Sequence, residues 1–300
     1  MAVTALSTRP NPPNNHLVRS MWVWITAQAS QDPLDTDSDQ QALLTFCGAN
    51  GINVLYLDIF RYLGSTNGST NKTARMRQFV DTTHKSGIRV YAMGGNIDWG
   101  VKHQWVMANI VEQLVAYQVM CPQKTQQFDG FMLDVEYWQD SAKNPAATNL
   151  PGLCDLIKAI RSRTDGLPVG CFVAFYLVGP ERTPVAYNGS TKADGHHLMD
   201  VANFVVVGAY RNHAQDRDGA PGQITLFQPW YDYASQQGKN IGLQCGSETV
   251  NAQANITYYG ATKVLMEAQH TLIASAFMSN MNAVFMGQSV HKYDGYRVMP

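Results

Sequence analysis

The sequence carries few charges. Asp, Glu, Lys and Arg together make up 15% of the 300 residues, and the formal net charge is -1. No cluster of Lys and Arg forms the basic patch or stripe with which proteins bind nucleic acid. A charge-poor surface must instead be rich in uncharged Asn, Gln, Thr, Ser and Tyr. We therefore expect neutral polymers or small molecules as partners and exclude nucleic acid.

The sequence also lacks long hydrophobic runs. Its fully apolar stretches, such as Phe204–Val207, are far shorter than the about 20 residues of a transmembrane helix, so we expect no membrane partner. Met1–Asn15 has neither an apolar signal core nor a cationic start. We expect residues 1–18 to form a flexible arm and residues 19–300 to form one domain. Two compartments stay open, the cytoplasm or secretion with the signal trimmed.

Motifs for cofactors and metals are missing. The five cysteines form no Cys-x-x-Cys pair, and neither a zinc-binding helix motif nor a Gly-rich phosphate loop occurs. We therefore expect no cofactor and no bound metal. One alternative stays open, because carboxylates suit hard divalent cations. The residues that could ring such an ion are Asp58, Asp134, Glu136 and His291.

Hydrophobic periodicity alternates along the chain between strand-like and helix-like segments. The predicted strands are Met21–Ile25, Val54–Phe60, Arg89–Met93, Gly130–Val135, Val169–Tyr176, Phe204–Ala209, Ile241–Leu243 and Ala283–Met286. The predicted helices are Asp39–Ala49, Thr73–Lys85, Gln104–Val119, Leu153–Arg163, a short piece near His196–Val201, Leu226–Gln237 and Tyr259–Phe277. Gly51, Gly87 and Gly238 follow three of these helices and predict left-handed C-caps.

Eight strands separated by seven helical segments indicate an α/β fold, a single (β/α)8 TIM barrel. The chain ends soon after the eighth strand, so we expect the eighth helix to be short or absent. The competing fold, a doubly wound sheet, would place a Gly-rich phosphate loop after the first strand, and none is present there. We expect no second domain.

The most informative segment is Phe128–Trp138. Its apolar run leads into Asp134 and Glu136, and side chains two residues apart on a strand point to the same face. Two carboxylates this close raise the proton affinity of one of them, which leaves one group able to donate a proton and one charged. Such a pair suits the cleavage of sugar bonds. The alternative interpretation is a strand end whose acids cap the next helix or pair with Arg.

Further candidates follow the predicted strands, where a barrel of this kind builds its active site. Most are carboxylates, amides and aromatics, which bind sugar hydroxyls and stack on sugar rings. The candidate substrate-binding residues are Asp58, Asn96, Trp138, Tyr176, Arg211, Gln244, Glu248, His291 and Tyr293. Simpler interpretations make His291 a structural histidine, Tyr176 a plug of the barrel mouth and Arg211 a counter-ion of the acid pair. Of Trp22 and Trp24, we expect one in the core.

The segment Asp129–Glu136 resembles the strand-four signature of the family 18 glycoside hydrolases, the chitinases and their relatives. That signature is Asp-Gly-x-Asp-x-Asp-x-Glu, and Met132 replaces its middle Asp. Ala92–Gly95 is similar to the family's Ser-x-Gly-Gly at strand three, with Ala in place of Ser. Ala209 and Tyr210 are similar to part of the family's Met-x-Tyr-Asp at strand six, where Arg211 stands in place of the Asp.

The resemblance implies that Glu136 is the general acid that protonates the leaving glycosidic oxygen. It also implies that Asp134 orients the substrate acetamide, whose carbonyl oxygen attacks the anomeric carbon in place of an enzyme nucleophile. Tyr210 would hydrogen-bond the acetamide oxygen, and an ionised Asp134 would stabilise the cationic oxazolinium intermediate. We therefore expect a glycosidase whose partner is a carbohydrate substrate, an N-acetylhexosamine-containing glycan.

Two other functions stay open. Met132 and Arg211 favour a chitinase-like carbohydrate-binding barrel that has lost catalysis. The same acid pair could instead serve a different barrel enzyme, such as a lyase, a cyclase or a metal-assisted hydrolase. It could also belong to a glycosidase with a direct carboxylate nucleophile, for which Asp58 and Glu248 are candidates.

Overall fold

The computed structural model describes residues 17–25, 34–59, 70–140, 145–278 and 284–300. Residues 1–16, which make up most of the predicted arm, lie outside the described residues. Within the described ranges, every helix is too short or too polar to span a bilayer.

Eight parallel strands form a closed barrel. In chain order they are β1 (Val18–Val23), β2 (Val54–Asp58), β3 (Arg89–Gly94), β4 (Gly130–Leu133), β5 (Val169–Ala174), β8 (Phe204–Gly208), β9 (Gly242–Glu248) and β10 (Phe285–His291). A separate antiparallel hairpin consists of β6 (Val185–Tyr187) and β7 (Ser190–Lys192). The order around the barrel is β1-β10-β9-β8-β5-β4-β3-β2. The predicted (β/α)8 barrel is confirmed.

Helices alternate with the barrel strands along the chain. They are α1 (Asp37–Ala49), α2 (Thr70–Lys85), α3 (His103–Val106), α4 (Glu112–Met120), α5 (Ala146–Arg163), α6 (Asp194–Val201), α7 (Gln223–Gln236), α8 (Lys263–Met278) and α9 (Tyr293–Val298). A π-helical segment, Met107–Val111, joins α3 to α4. After β10, α9 has only 6 residues, so the short eighth helix is confirmed. Gly51, Gly87 and Gly238 have φ angles of 63°, 77° and 55°, which confirms the three left-handed C-caps.

Burial explains why the apolar segments became barrel strands. Every residue of β2, β5 and β8 is buried. A parallel barrel strand faces helices on one side and the barrel interior on the other, so it needs apolar side chains in both directions. The sequences Val-Leu-Tyr-Leu-Asp of β2 and Phe-Val-Val-Val-Gly of β8 meet that need.

Several strand ends differ from the prediction, and those of β9, β10 and β4 matter for the candidate residues. The polar residues after Leu243 and Met286 predict loops, but β9 continues to Glu248 and β10 continues to His291. β4 is shorter than predicted and ends at Leu133. The acid pair of this segment therefore lies just past the strand, where the backbone turns into a 3-10 helix.

Buried hydrogen bonds account for the polar residues in the longer strands. The Ser20 hydroxyl of β1 donates to Oε1 of Gln244 in β9 at 2.6 Å. The Trp22 indole donates to Oγ of Ser289 in β10 at 2.8 Å. All four side chains are buried. Because β1 and β9 are not neighbours in the sheet, the first bond crosses the barrel interior, and these buried polar groups bond to one another there.

The described residues belong to two compact units. The first unit contains Ile25–Gly170, with β2, β3 and β4. The second unit contains Leu17–Trp24 and Cys171–Pro300, with β1, β8, β9, β10 and most of β5. The acid pair belongs to the first unit, and Tyr210 belongs to the second.

Candidate active site

The first two residues of the strand-four signature serve packing. Oδ2 of Asp129 accepts a hydrogen bond from the backbone N–H of Val90 at 2.8 Å and lies 2.7 Å from Nε2 of His84. Both of these side chains are almost fully buried. At Gly130, an added β-carbon would lie 2.2 Å from the ring of Tyr91. Asp129 and Gly130 therefore hold β4 against β3 and α2.

Asp134 and Glu136 follow directly after β4. The backbone N–H of Asp134 donates to the carbonyl of Gly94 at 3.0 Å, so the pairing with β3 extends to the first acid. A hydrogen bond joins the Asp134 and Glu136 side chains. The amide of Gln139 donates to Oε2 of Glu136. The structure thus brings the two acids into direct contact.

The Asp134 carboxyl holds a proton more tightly than an ordinary Asp. Burial raises the pKa of Asp134 well above its usual range, and the charge of Glu136 together with their hydrogen bond raises this pKa further. Oδ1 of Asp134 is buried and accepts no hydrogen bond from the described residues. Burial raises this pKa because it removes the water that would stabilise the Asp134 carboxylate. The expectation of an ionised Asp134 beside a proton-bearing Glu136 stays a prediction.

Three further candidates of the first unit lie at or after strand ends. Asp58 ends β2, is buried, and accepts the backbone N–H of Ile25 on Oδ2 at 3.3 Å. Asn96 is exposed and accepts the backbone N–H of Asp98 on Oδ1 at 3.4 Å. Trp138 is half-buried and packs edge-on against the preceding tyrosine, with ring centroids 5.2 Å apart. Asn96 and Trp138 keep surface for a ligand, whereas Asp58 is enclosed.

In the second unit, a chain of hydrogen bonds joins the ends of three strands. Nδ1 of His291, the last residue of β10, lies 2.9 Å from Oε2 of Glu248, the last residue of β9. Trp24, one residue past β1, donates its indole N–H to Nε2 of His291 at 3.2 Å. Because an indole only donates, Nε2 accepts, and Nδ1 carries the proton that it donates to Glu248. Both imidazole nitrogens are engaged, which agrees with the interpretation of His291 as a structural histidine.

Tyr210 lies two residues past β8 and is half-buried. Its ring stacks on Phe172 with centroids 5.9 Å apart and on His291 with centroids 6.4 Å apart. Trp22 is buried and meets Phe172 edge-on at 5.4 Å. The structure places Tyr210 among the aromatic rings of the second unit, and its contact with a substrate acetamide stays a prediction.

Tyr176 and Arg211 contact the same aromatic ring. Tyr176 is 39% exposed and packs edge-on against Phe175 with centroids 5.4 Å apart. The guanidinium carbon of Arg211 lies 5.5 Å from the centre of the Phe175 ring, and Nη1 donates to the carbonyl of Tyr210 at 2.7 Å. A cation–π contact and a main-chain acceptor therefore orient Arg211. Its role as a counter-ion of the acid pair stays a prediction.

Two candidates of the second unit are packing residues. The pattern ends the strand at Leu243 and so predicts Gln244 on the rim, but Gln244 lies within β9, is 1% exposed and binds Ser20. Tyr293 begins α9 and is 5% exposed, with the guanidinium carbon of Arg297 5.7 Å from its ring centre. The longer β9 and β10 and the helix that follows enclose both side chains, so their expected contact with substrate is corrected.

Trp24 is a candidate ligand-binding aromatic that the sequence pattern does not distinguish from Trp22. Tryptophans two residues apart on a strand share a face, so Trp22 and Trp24 are equivalent in the sequence. Trp22 is 2% exposed and is the expected core residue, whereas Trp24 is half-buried. The feature that separates them is the strand end, which the hydrophobic pattern places at Ile25 and the structure at Val23.

Metal ligands do not cluster in the described part of the chain. No group of three or more His, Cys, Asp or Glu side chains there could hold a metal ion. The four residues considered from the sequence as a possible ring all lie in the described ranges. The described residues therefore give the metal-binding alternative no support.

Comparison with known proteins identifies structures with the same fold. No family model and no curated protein match the sequence. A GH18 chitinase from Pseudoalteromonas aurantia is similar in structure, with a TM-score of 0.54 and 11% identity over 92% of this chain and 94% of that one. A chitinase from Bacteroides thetaiotaomicron has a TM-score of 0.55 and 11% identity over 93% of this chain and 90% of that one.

A structure described as a modular endo-beta-1,4-mannanase of glycoside hydrolase family 26, from Cellulomonas fimi, is similar as well. Its TM-score is 0.55 and its identity 9%, over 92% of this chain and 64% of that one. At these identities the likeness is one of fold. The chain has the barrel found in these glycoside hydrolases.

Proposed function

We propose that the protein is a glycoside hydrolase that cleaves an N-acetylhexosamine-containing glycan, with Glu136 as the general acid. The observation that carries this proposal is the hydrogen-bonded pair of Asp134 and Glu136 at the end of β4. Barrel enzymes place their active sites at the carboxyl ends of the strands. Glycosidic cleavage needs a carboxyl group that still holds a proton at the pH of the reaction. The glycoside hydrolases that share the fold support the same reaction class.

The pair delivers its proton in two moves. The proton on Asp134 passes along the hydrogen bond to Glu136 as substrate binds, which leaves Asp134 ionised. Glu136 transfers the proton to the glycosidic oxygen while the bond from that oxygen to the anomeric carbon breaks. The acetamide carbonyl oxygen attacks the same carbon, and the Asp134 carboxylate stabilises the resulting oxazolinium cation. Water then attacks the anomeric carbon and returns a proton to Glu136, which restores the singly protonated pair.

The buried oxygen of Asp134 favours participation of the acetamide. Within the described part of the chain Oδ1 of Asp134 has no hydrogen-bond partner, and leaving a buried polar atom unpaired costs about 1–3 kcal/mol. A substrate acetamide N–H would satisfy this atom once Asp134 is ionised. The alternative nucleophile Asp58 already accepts a main-chain N–H. Tyr210 keeps the role that the family resemblance implies, as a donor to the acetamide oxygen.

Exposed polar and aromatic side chains are the proposed contacts for the rest of the glycan. Asn96 offers its amide to sugar hydroxyls, and Trp138 and Tyr176 offer ring surface. Arg211, held over Phe175, offers guanidinium N–H groups to hydroxyl or carbonyl oxygens.

The test is the replacement of Glu136 by Gln. The amide keeps the size of the side chain but has no acid proton, so we expect hydrolysis of N-acetylglucosamine oligomers to fall by about 10²- to 10⁴-fold. Oligomer affinity should be retained. Glu112→Gln is the matched control, because Glu112 lies on α4 and pairs with Arg163 at the surface, with Oε1 2.6 Å from Nε. This control should hydrolyse oligomers at the parent rate.

Three outcomes would change the proposal. An unchanged rate in Glu136→Gln would remove Glu136 as the acid. Parent protein that binds oligomers without turnover would identify a carbohydrate-binding barrel. An active enzyme that is indifferent to a thiazoline mimic of the oxazolinium would use a direct nucleophile instead of the acetamide.

A further inference from the structure

A group of polar and aromatic side chains in the second unit converges on one tryptophan. We call it the Trp24 cluster, and it consists of Trp22, Trp24, Tyr210, Glu248 and His291. Its members lie on or just past β1, β8, β9 and β10. Most of these residues sit at the carboxyl ends of the barrel strands, which is where barrel enzymes bind their substrates.

Hydrogen bonds fix the orientation of the Glu248 carboxylate. Its Oε1 accepts the backbone N–H groups of Thr249 at 2.7 Å and Val250 at 2.9 Å, and the residue is only 7% exposed. Its other oxygen accepts Nδ1–H of His291 at 2.9 Å. A buried carboxylate held by three donors has one orientation, so it fixes the position and the tautomer of the imidazole.

Ring contacts hold the imidazole from its sides. Trp22 meets His291 edge-on, with centroids 5.4 Å apart and planes at 81°. Tyr210 stacks on His291 with planes at 29°. The acceptor Nε2 therefore lies at a defined place, and the indole N–H of Trp24 binds to it at 3.2 Å.

The two tryptophans of the cluster differ in how much of each side chain is exposed. Trp22 is buried and its N–H is bonded to Ser289, so packing accounts for it. Trp24 is half-buried, although its N–H is held by His291. A partly exposed ring whose orientation is already set loses little conformational entropy on binding, which is the condition for an effective contact surface.

We infer that Trp24 is the platform on which a pyranose ring of the substrate stacks, and that Glu248 and His291 are its positioning residues. This inference rests on the proposed function, because it takes the ligand to be a carbohydrate. The sugar that fits best has equatorial substituents, as in β-linked N-acetylglucosamine. Its axial C–H bonds form flat apolar faces with a slight positive charge, which the negative face of an indole attracts.

The first test measures the affinity of N-acetylglucosamine oligomers for protein that carries Glu136→Gln, so that no turnover occurs. Adding Trp24→Ala should weaken binding by about tenfold, whereas Trp24→Phe should stay within about threefold of the parent because the ring is kept. Trp24→Phe should also reduce the ligand-induced change in tryptophan fluorescence, and the lost part of the signal is assigned to position 24. Trp105→Ala is the matched control, since Trp105 is 50% exposed and lies on α3.

The second test asks whether His291 orients Trp24 or only packs against it. His291→Phe keeps a ring but removes the acceptor for Trp24, so oligomer affinity should fall towards that of Trp24→Ala. His291→Gln restores an acceptor oxygen and should recover part of the affinity. In the active enzyme, Trp24→Ala should raise KM by a larger factor than it lowers kcat, and circular dichroism should show an unchanged fold.

The outcomes distinguish this inference from the function on which it rests. If Glu136→Gln protein binds no oligomer, the carbohydrate function itself fails. If oligomers bind and Trp24→Ala leaves the affinity unchanged, or Trp105→Ala weakens it equally, the platform is wrong and the proposed function stands. Parent-like affinity in His291→Phe would remove Glu248 and His291 as positioning residues.

Discussion

A β-carbon added to Gly95 would lie 1.8 Å from the backbone oxygen of Asp134. The chain after β3 therefore passes against the first acid of the pair, and only glycine allows this approach. The position corresponds to the second Gly of the motif at strand three. The closeness explains why that segment needs a residue without a side chain.

We expect Gly95→Ala to lower turnover of N-acetylglucosamine oligomers by at least about tenfold and to destabilise the fold by about 1–3 kcal/mol. The added methyl group must displace the backbone of Asp134, and with it the carboxyl that pairs with Glu136. Steady-state kinetics and urea unfolding measure the two effects.

Gly48→Ala is the matched control for that variant. Gly48 lies within α1, and an added β-carbon there has no atom within 4 Å. Alanine in a helix is more favourable than glycine by about 1 kcal/mol, so this variant should be slightly more stable and fully active. Equal behaviour of the two variants would show that the contact with Asp134 has no consequence for the site.

The raised pKa of Asp134 predicts a pH-dependent gain in stability for Asp134→Asn. The folded protein keeps a proton on Asp134 at pH values where an unfolded Asp, with a pKa of about 3.9, has lost it. The folded state therefore binds more protons, and the contribution of this group to stability falls as pH rises above that value. Asn does not titrate, so the stability of the variant relative to the parent should increase from pH 4 to pH 8.

Urea unfolding of both proteins at several pH values measures this difference. Asp98→Asn is the control, because Asp98 is half-buried and forms a surface ion pair with Lys102 at 2.5 Å. A stability difference between Asp134→Asn and the parent that does not change with pH would contradict a raised pKa of Asp134.

Asp129 should matter for stability and leave catalysis unaffected. Its carboxylate is buried against His84 and the backbone of Val90, so Asp129→Asn should lower the free energy of unfolding by about 2 kcal/mol. The kcat of the folded fraction should stay at the parent value. Asp37→Asn should have an effect below about 1 kcal/mol, since its ion pair with Arg75 is at the surface. A fall in kcat without loss of stability would instead place Asp129 in the active site.

His270 predicts a loss of stability in acid. Burial lowers the pKa of His270 to about 4, and the nearby charge of Arg19 lowers it as well, while Glu267 opposes the shift. The unfolded chain takes up this proton near pH 6.5, so between pH 6.5 and 4 it binds more protons than the folded state. Stability should fall by about 3 kcal/mol as pH drops through this window.

Urea unfolding between pH 7.5 and pH 4 measures how steeply the free energy of unfolding falls with pH. His270→Gln should flatten the slope over this window, whereas His103→Gln, at a half-buried position on α3, should leave it in place. An undiminished slope in His270→Gln would assign the acid sensitivity to other groups.

The barrel follows from patterns that are local in the sequence. Strands such as β2 and β8 are short apolar runs, and glycines such as Gly51 mark where helices end. Each of these features depends on a few consecutive residues. The strands predicted too short are those with polar residues at their ends. Gln244 can lie inside a buried strand because Ser20 donates a hydrogen bond to it, and Ser20 lies 224 residues away in the chain.

The candidate site likewise has features that the sequence shows and features that depend on the tertiary structure. That Asp134 and Glu136 form an acid pair is visible in the sequence, since they are two residues apart at the end of one strand. Their protonation is not visible there, because it depends on how deeply each carboxyl is buried. Similarly, the sequence does not tell which of Trp22 and Trp24 is buried. That difference depends on where β1 ends and on the position of His291.

The sequence by itself determined the order of strands and helices, the barrel class and the identity of the two acids. Only the tertiary structure decided that the pKa of Asp134 is raised, that Gln244 and Tyr293 are enclosed, and that Trp24 is held by His291. The physical reason is that chain-local geometry sets secondary structure. Burial and hydrogen-bond partners, which set pKa values and side-chain orientation, come from residues far apart in the chain.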